Sequence, residues 1–388
     1  MTPRTHFPFN RKLCTWLGAV LVLCLCAGAA STNYRWILPA WAPAPVVPED
    51  NLMSDAKVEL GRHLFYDKRL SGDNSMACAT CHVQSLAFTD GKAVATGITG
   101  QTGARSAMAL ANVAYLPTLT WANPQLKALE IQALVPIFGE HPVEMGMAGK
   151  EELLFERLRT DEKYQQLFAR AFPQEAARGV KELYSLSTVT KALASFQRSL
   201  LSFNSPYDKF KYGGDSNAIS PAAKRGEALF FGEKMECYHC HGSFTFTDNI
   251  HHARLPFAEK GFHNTGLYNV DGRGAYPADN QGVGEFTGDA ADMGKFRTPS
   301  LRNIAVTAPY MHDGSIATLR EVVVKHYALA GKSASSPGGR SPLRSELIAG
   351  FEVDEAEVSD LLVFLQSLTD TEFLTNPAHA NPWPQNSQ

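Results

Sequence analysis

Spare cysteine, blocks of like charge and strand-period alternation are what this sequence lacks. Its seven cysteines are Cys14, Cys24 and Cys26, inside an apolar N-terminal stretch, and two pairs, Cys78/Cys81 and Cys237/Cys240. A chain that commits both pairs and sheds its N-terminus has no thiol left for a structural disulfide. Charged residues make up 19% of the chain, and the formal net charge of -3 is spread without a long acidic or basic run. That distribution points to neither nucleic acid nor an anionic membrane surface. No apolar/polar alternation persists long enough for a sheet protein, and no period marks a solenoid.

What is present is a pair of pentads, Cys78-Ala79-Thr80-Cys81-His82 and Cys237-Tyr238-His239-Cys240-His241. Cys-x-x-Cys-His is the attachment signature of a c-type haem. Its thiols add to the porphyrin vinyl groups, and the adjacent histidine is left beneath the iron. The pattern therefore predicts two covalently bound haem c groups, with His82 and His241 as iron ligands. One shared zinc site is the rival, but each pair is followed directly by its own histidine and nothing joins the four thiols. His239, inside the second pentad, cannot easily reach that iron. The two segments are consistent with an ancient duplication.

Arg4, Arg11 and Lys12 precede the almost wholly apolar Leu13 to Ala30, and Ala27-Gly28-Ala29-Ala30 offers small residues for cleavage. Residues 1–30 thus read as an export signal, with an uncleaved membrane anchor as the alternative. Covalent haem attachment happens outside the bacterial cytoplasm, so the expected location is the periplasm of a Gram-negative cell. Residues 31–48 form a proline-rich leader. The remainder is expected to be mainly α, as two c-type cytochrome-like haem domains with long ordered loops. The first is placed at 49–205 and the second at 206–388, with a C-terminal helix returning toward the first. Helical spacing appears at Asp55 to Phe65, Glu151 to Phe168, Leu186 to Leu201, Pro221 to Phe231, Leu319 to Leu329 and Asp354 to Leu368. Gly261 to Gly294, rich in Gly, Asn and Asp, reads as a long ordered loop.

Leu60-Gly61-Arg62-His63-Leu64-Phe65-Tyr66-Asp67, Phe296-Arg297-Thr298-Pro299-Ser300-Leu301-Arg302-Asn303 and Thr307-Ala308-Pro309-Tyr310-Met311-His312-Asp313-Gly314 resemble the bacterial dihaem cytochrome c peroxidase and MauG superfamily. Phe262-His263-Asn264-Thr265-Gly266-Leu267-Tyr268-Asn269 and the stretch Ser367 to Thr375 are similar to a narrower branch. That branch is the MbnH-like enzymes, dihaem partners of the copper-binding protein MbnP.

The resemblance assigns roles residue by residue. Peroxide activation needs an open iron and an acid-base group beside it. Glu144 falls on the family's distal carboxylate, Pro136 on its distal proline and Gln132 on its distal glutamine. Classical dihaem peroxidases follow Val-Glu-Met with a histidine that blocks the resting iron. Here Gly146 occupies that place, which implies a first haem open at rest; His141 is the only neighbouring histidine to fill it. Trp121 matches the tryptophan that relays charge between the haems. The second haem's sixth ligand maps to His326 or Tyr327, which share one helical face with Leu319, so periodicity leaves both open. Either is a harder donor than the methionine of classical peroxidases. Arg297 and Arg302 suit haem propionates, because a guanidinium matches a carboxylate. The family's calcium ion would rest on the carbonyls of Thr307 and Pro309 and on Ser106, a weaker ligand than the usual asparagine. His63 and His312 are expected to bond propionates or backbone, and His251, His252 and His263 to bind copper or nothing.

The resemblance implies a peroxide-driven enzyme that shares oxidising equivalents between its haems, as a bis-Fe(IV) state, and oxidises a partner protein's side chain. For an MbnH-like enzyme that is tryptophan to kynurenine on an MbnP-like exported, copper-related protein. The alternatives are a classical cytochrome c peroxidase fed by a small cytochrome or cupredoxin, and a dihaem electron carrier without catalysis.

Overall fold

The computed structural model describes residues 34–331 and 338–384, so the export-signal reading lies outside the described residues. The described residues from Trp36 onward form one compact unit that is mostly helical. Helix α1 (Asp55–Phe65) starts where Ser54 accepts from Lys57 N at 3.2 Å. It packs along α2 (Leu186–Arg198), whose Ser185 and Thr188 form a reciprocal cap. Leu60, Leu64 and Phe65 from α1, Val189, Leu193 and Phe196 from α2, and Phe88 build one hydrophobic core.

The second half repeats the arrangement. Ser220 accepts from Ala223 N at 3.1 Å and Pro221 opens α3 (Pro221–Phe230). It packs along α4 (Glu355–Gln366), capped by Asp354, which accepts from Glu357 N at 2.9 Å. Phe230, Phe246, Leu361 and Phe364 anchor this second core. Both helix pairs cross on a glycine. A Cβ on Gly61 would stand 2.0 Å from the Ala192 carbonyl oxygen, and one on Gly226 2.1 Å from that of Asp360. Backbone cannot yield as a flexible side chain can, so Gly61→Ala and Gly226→Ala are each expected to cost about 1–3 kcal/mol. Thermal unfolding of the haem-loaded protein would show this; unchanged midpoints would contradict it.

The halves share finer devices too. Asn112 (φ +60°) and Asn303 (φ +62°) each hold the left-handed conformation before a short 3-10 turn. Asn112 Oδ1 accepts from Ser202 N at 2.8 Å, and Asn303 Oδ1 accepts from Asp370 N at 2.8 Å. The C-terminal turn Thr371–Thr375 places Phe373 in the first core, not the second.

Three elements differ from expectation. The single helix expected over Glu151 to Phe168 is two, Glu151–Arg159 and Glu162–Ala171, because Asp161 caps a new start through Lys163 N and Tyr164 N. The loop Gly261 to Gly294 contributes a strand, β1 (Phe262–Asn264), paired antiparallel with β2 (Lys295–Arg297). The segment after Leu319 is α-helical only to Glu321 and then winds as a π-helix over Val322–Tyr327. Among the described residues no helix is long and apolar enough to cross a membrane.

Candidate functional site

Each half presents its motif histidine in the same way. His82 Nδ1 lies 2.7 Å from the Phe88 carbonyl, and His241 Nδ1 lies 2.8 Å from that of Phe246. A carbonyl only accepts, so Nδ1 carries the proton and Nε2 keeps its lone pair. Both acceptors sit on left-handed residues, Phe88 at φ +64° and Phe246 at φ +55°. Burial lowers the pKa of both imidazoles, which favours the neutral, ligating form. The motif cysteines form no disulfide, and burial pushes Cys78 and Cys237 up to about 12.

A cavity of about 280 Å³ is lined by Cys237, Cys240, His241, Trp121, Arg297 and Tyr327. The Arg297 guanidinium is buried there, donating to carbonyls of Thr120 (3.0 Å), Thr298 and Leu119 (both 3.4 Å), and among the described residues no carboxylate forms an ion pair with it. Burial lowers its pKa to about 10. A buried cation without an anion is costly, so the cavity suits a planar group that brings carboxylates. The residues thus fit a haem.

Arg302 does not take part as expected. Its guanidinium forms a buried bidentate pair with Asp208 at 2.8 and 2.9 Å and donates to the Phe244 carbonyl at 2.6 Å. Those donors are spent, so Arg302 ties the second core together rather than reaching a propionate. The two candidates for the sixth ligand are separated. Tyr327 lines the cavity together with Cys237 and Cys240, and burial raises the pKa of its phenol. His326 is fully buried outside that lining, with both ring nitrogens unpartnered, and its ring meets Tyr327 edge-on at 4.8 Å. The wider winding of a π-helix moves neighbours off the shared face that a 3.6-residue period assigns.

Near the first motif, Glu144 is held through backbone. Its carbonyl accepts from Ile98 N at 2.9 Å, and the next residue, Met145, donates N–H to Pro136 at 2.9 Å and accepts from Gly72 N at 2.7 Å. The half-buried carboxylate acts electrostatically on both Cys78 and Cys81, and burial raises its own pKa. Pro136 lies on the turn Leu134–Phe138, and Gln132 ends the preceding turn Leu129–Gln132. His141 is exposed. Gly146 sits at φ +64°, where a Cβ would meet Ile98 Cδ1 at 2.5 Å. This backbone is shaped for glycine.

Trp121 Nε1 donates to the Ser106 carbonyl at 2.9 Å. Ser106, Thr307 and Pro309 line the same cavity, and the Ser106 hydroxyl reaches the Met311 and His312 carbonyls at 3.5 and 3.4 Å. His63 Nδ1 bonds the Glu59 carbonyl at 2.9 Å, the backbone partner among the two alternatives, propionate or backbone. His263 instead pairs with Asp248 at 2.6 Å, which with Cys240 pushes its imidazole up to about 10. Among the described residues these three are the only group of acid, thiol and imidazole ligands close enough for a metal. A thioether at Cys240 would leave just the His263–Asp248 pair. That pair, the Asp208–Arg302 pair and the rings around His312 carry no fixed spacing that sequence could have signalled.

The family model for di-haem cytochrome c peroxidase matches residues 55–217. The methylamine utilization protein MauG of Methylophilus methylotrophus is 36% identical over 332 residues, 85% of this chain and 86% of that protein. This chain belongs to the dihaem cytochrome c peroxidase/MauG family. The cytochrome-c peroxidase IdrP1 of a Pseudomonas species is 34% identical, covering 95% of this chain and 96% of its own. The crystal structure of a MauG-like protein associated with microbial copper homeostasis superposes with a TM-score of 0.85 at 47% identity, over 90% of this chain and all of that one. The family resemblance expected from the motifs is thus correct, and the chain is a peroxidase-like oxidoreductase of a haem-using family.

Proposed function

We propose that this chain attaches two haem c groups through Cys78/Cys81 and Cys237/Cys240, and uses hydrogen peroxide to oxidise a side chain of a small exported protein. The observation that carries this is the backbone-clamped, half-buried Glu144 beside the first motif, with Gly146 where a blocking histidine would stand. When bound, a haem supplies an iron that accepts and passes on the oxidising equivalents of O–O cleavage. Glu144 takes the proton from one peroxide oxygen and delivers it to the departing one. Burial raises its pKa, which helps the carboxyl group hold the proton between the two moves. Since acceptance needs the carboxylate, the rate rises with pH through that raised pKa and then levels. Arg297 would hold a propionate, Tyr327 would offer the second haem an oxygen donor, and Trp121 would stand between the two groups. A calcium ion on Ser106, Thr307 and Pro309 belongs to the same reading.

The two hydrophobic cores, one built from residues up to Leu200 together with the returning Phe373 and the other from Tyr207 onward, support two haem domains meeting near residue 205. The periplasm is the proposed location. The copper-linked relative and the MbnH-like segments support an MbnP-like partner and tryptophan to kynurenine as the reaction. Opening an indole to N-formylkynurenine removes four electrons and adds two oxygen atoms. Two peroxides balance this and release two waters; hydrolysis then loses formate. Mass spectrometry of such a partner after peroxide treatment with the dihaem protein should find kynurenine. An unmodified partner would defeat the reading, and rapid turnover with reduced cytochrome c would favour the classical peroxidase that the IdrP1 likeness keeps in view.

A further inference from the structure

The cavity lined by Cys237, Cys240 and His241 is edged by aromatic rings, of which the reading above uses Trp121 alone. His312 stacks on Phe296, centroids 3.7 Å apart and planes 12° from parallel. Trp121 meets His312 edge-on at 6.5 Å, and Tyr268 meets it likewise at 6.3 Å. Trp121, Phe296 and His312 line the cavity, whereas half-buried Tyr268 lies one ring further out.

The surroundings of the two neighbouring phenols differ. Tyr276 O–H donates to Asn264 Oδ1 at 3.0 Å, an amide oxygen that cannot take the proton. Tyr268 O–H donates to Asp313 Oδ2 at 2.5 Å, and Asp313 Oδ1 is held by Ser315 N at 3.0 Å. A phenol loses an electron far more easily when a hydrogen-bonded base takes its proton in the same step.

We propose that Tyr268 is a redox-active residue, the station at which an oxidising equivalent leaves the inter-haem region. An electron passes from the Tyr268 phenol to oxidised Trp121 across His312, and the phenolic proton moves to Asp313. Trp121 is restored, and a neutral phenoxyl radical faces a carboxylic acid. The oxidant is the peroxide-oxidised haem pair, so the proposal rests on the peroxide reading. An electron from a partner side chain, with the proton returned by Asp313, completes the cycle.

The test is freeze-quench electron paramagnetic resonance of the dihaem protein after peroxide, without partner. A tyrosyl signal is expected, narrowed when the protein is made with ring-deuterated tyrosine and absent in Tyr268→Phe. Asp313→Asn keeps an acceptor for Ser315 N but not the base, and should lower the yield at least about tenfold. A tyrosyl signal unchanged in Tyr268→Phe, as the stacked Trp41–Tyr212 pair (4.0 Å) at the surface would give, overturns the proposal. So does oxidation of the haems with no tyrosyl signal. If peroxide leaves the haem spectra unchanged, the peroxide reading has failed on its own. Photogenerated ruthenium(III) trisbipyridine then supplies the oxidant to the same protein, and Tyr268→Phe must again remove the signal.

Discussion

Replacing Glu144 with glutamine is expected to slow the reaction with peroxide by about 10²–10⁴-fold, the range lost when a positioned acid-base group is removed. Both haems should stay attached, because Glu144 contributes position mainly through its main chain. Its carbonyl is bound by Ile98, and Met145 is clamped between Pro136 and Gly72. Glutamine keeps the shape and the backbone bonds but cannot shuttle a proton. The wild-type rate should rise with pH through the raised Glu144 pKa, and the variant's rate should be flat across that window. Stopped-flow absorbance measures both; a variant as fast as wild type would remove Glu144 from the mechanism.

The second large effect concerns the second haem. Tyr327→Phe is expected to leave its iron without a sixth ligand from the protein and to change the resting electron paramagnetic resonance spectrum. His326→Leu should leave that spectrum as it is. The asymmetry follows from placement, since Tyr327 lines the cavity beside the Cys237 and Cys240 thiols while His326 is enclosed behind it. Removing a buried imidazole with no hydrogen-bond partner should also cost little stability. The opposite pattern, with His326→Leu altering the spectrum and Tyr327→Phe silent, would reverse the assignment.

Much of the fold was legible because its signals are local. The caps at Ser54, Ser220-Pro221 and Asp354 begin the helices that carry the two cores. The pentads located both histidines, and the structure added the feature common to both, a carbonyl on a left-handed phenylalanine. What sequence misread depends on distant partners or unusual winding. Asp208, far away in the chain, spends the guanidinium of Arg302, and no motif spacing predicts that pairing. Periodicity left His326 and Tyr327 both open, because a 3.6-residue turn puts them on one face, whereas Val322–Tyr327 winds as a π-helix. The strands β1 and β2 are three residues each, too short for alternation to register. Tyr268 and Asp313 were visible only as parts of family-like segments, since their hydrogen bond exists only in three dimensions.

The central claim is that the two haem sites act as one oxidised unit joined through Trp121. Mixing the resting dihaem protein with one equivalent of peroxide in a stopped-flow spectrometer, and following the near-infrared, tests it most directly. A charge-resonance band shared by the two haems should form, and should be lost in Trp121→Ala. A porphyrin radical confined to the first haem, with no such band, would contradict the account.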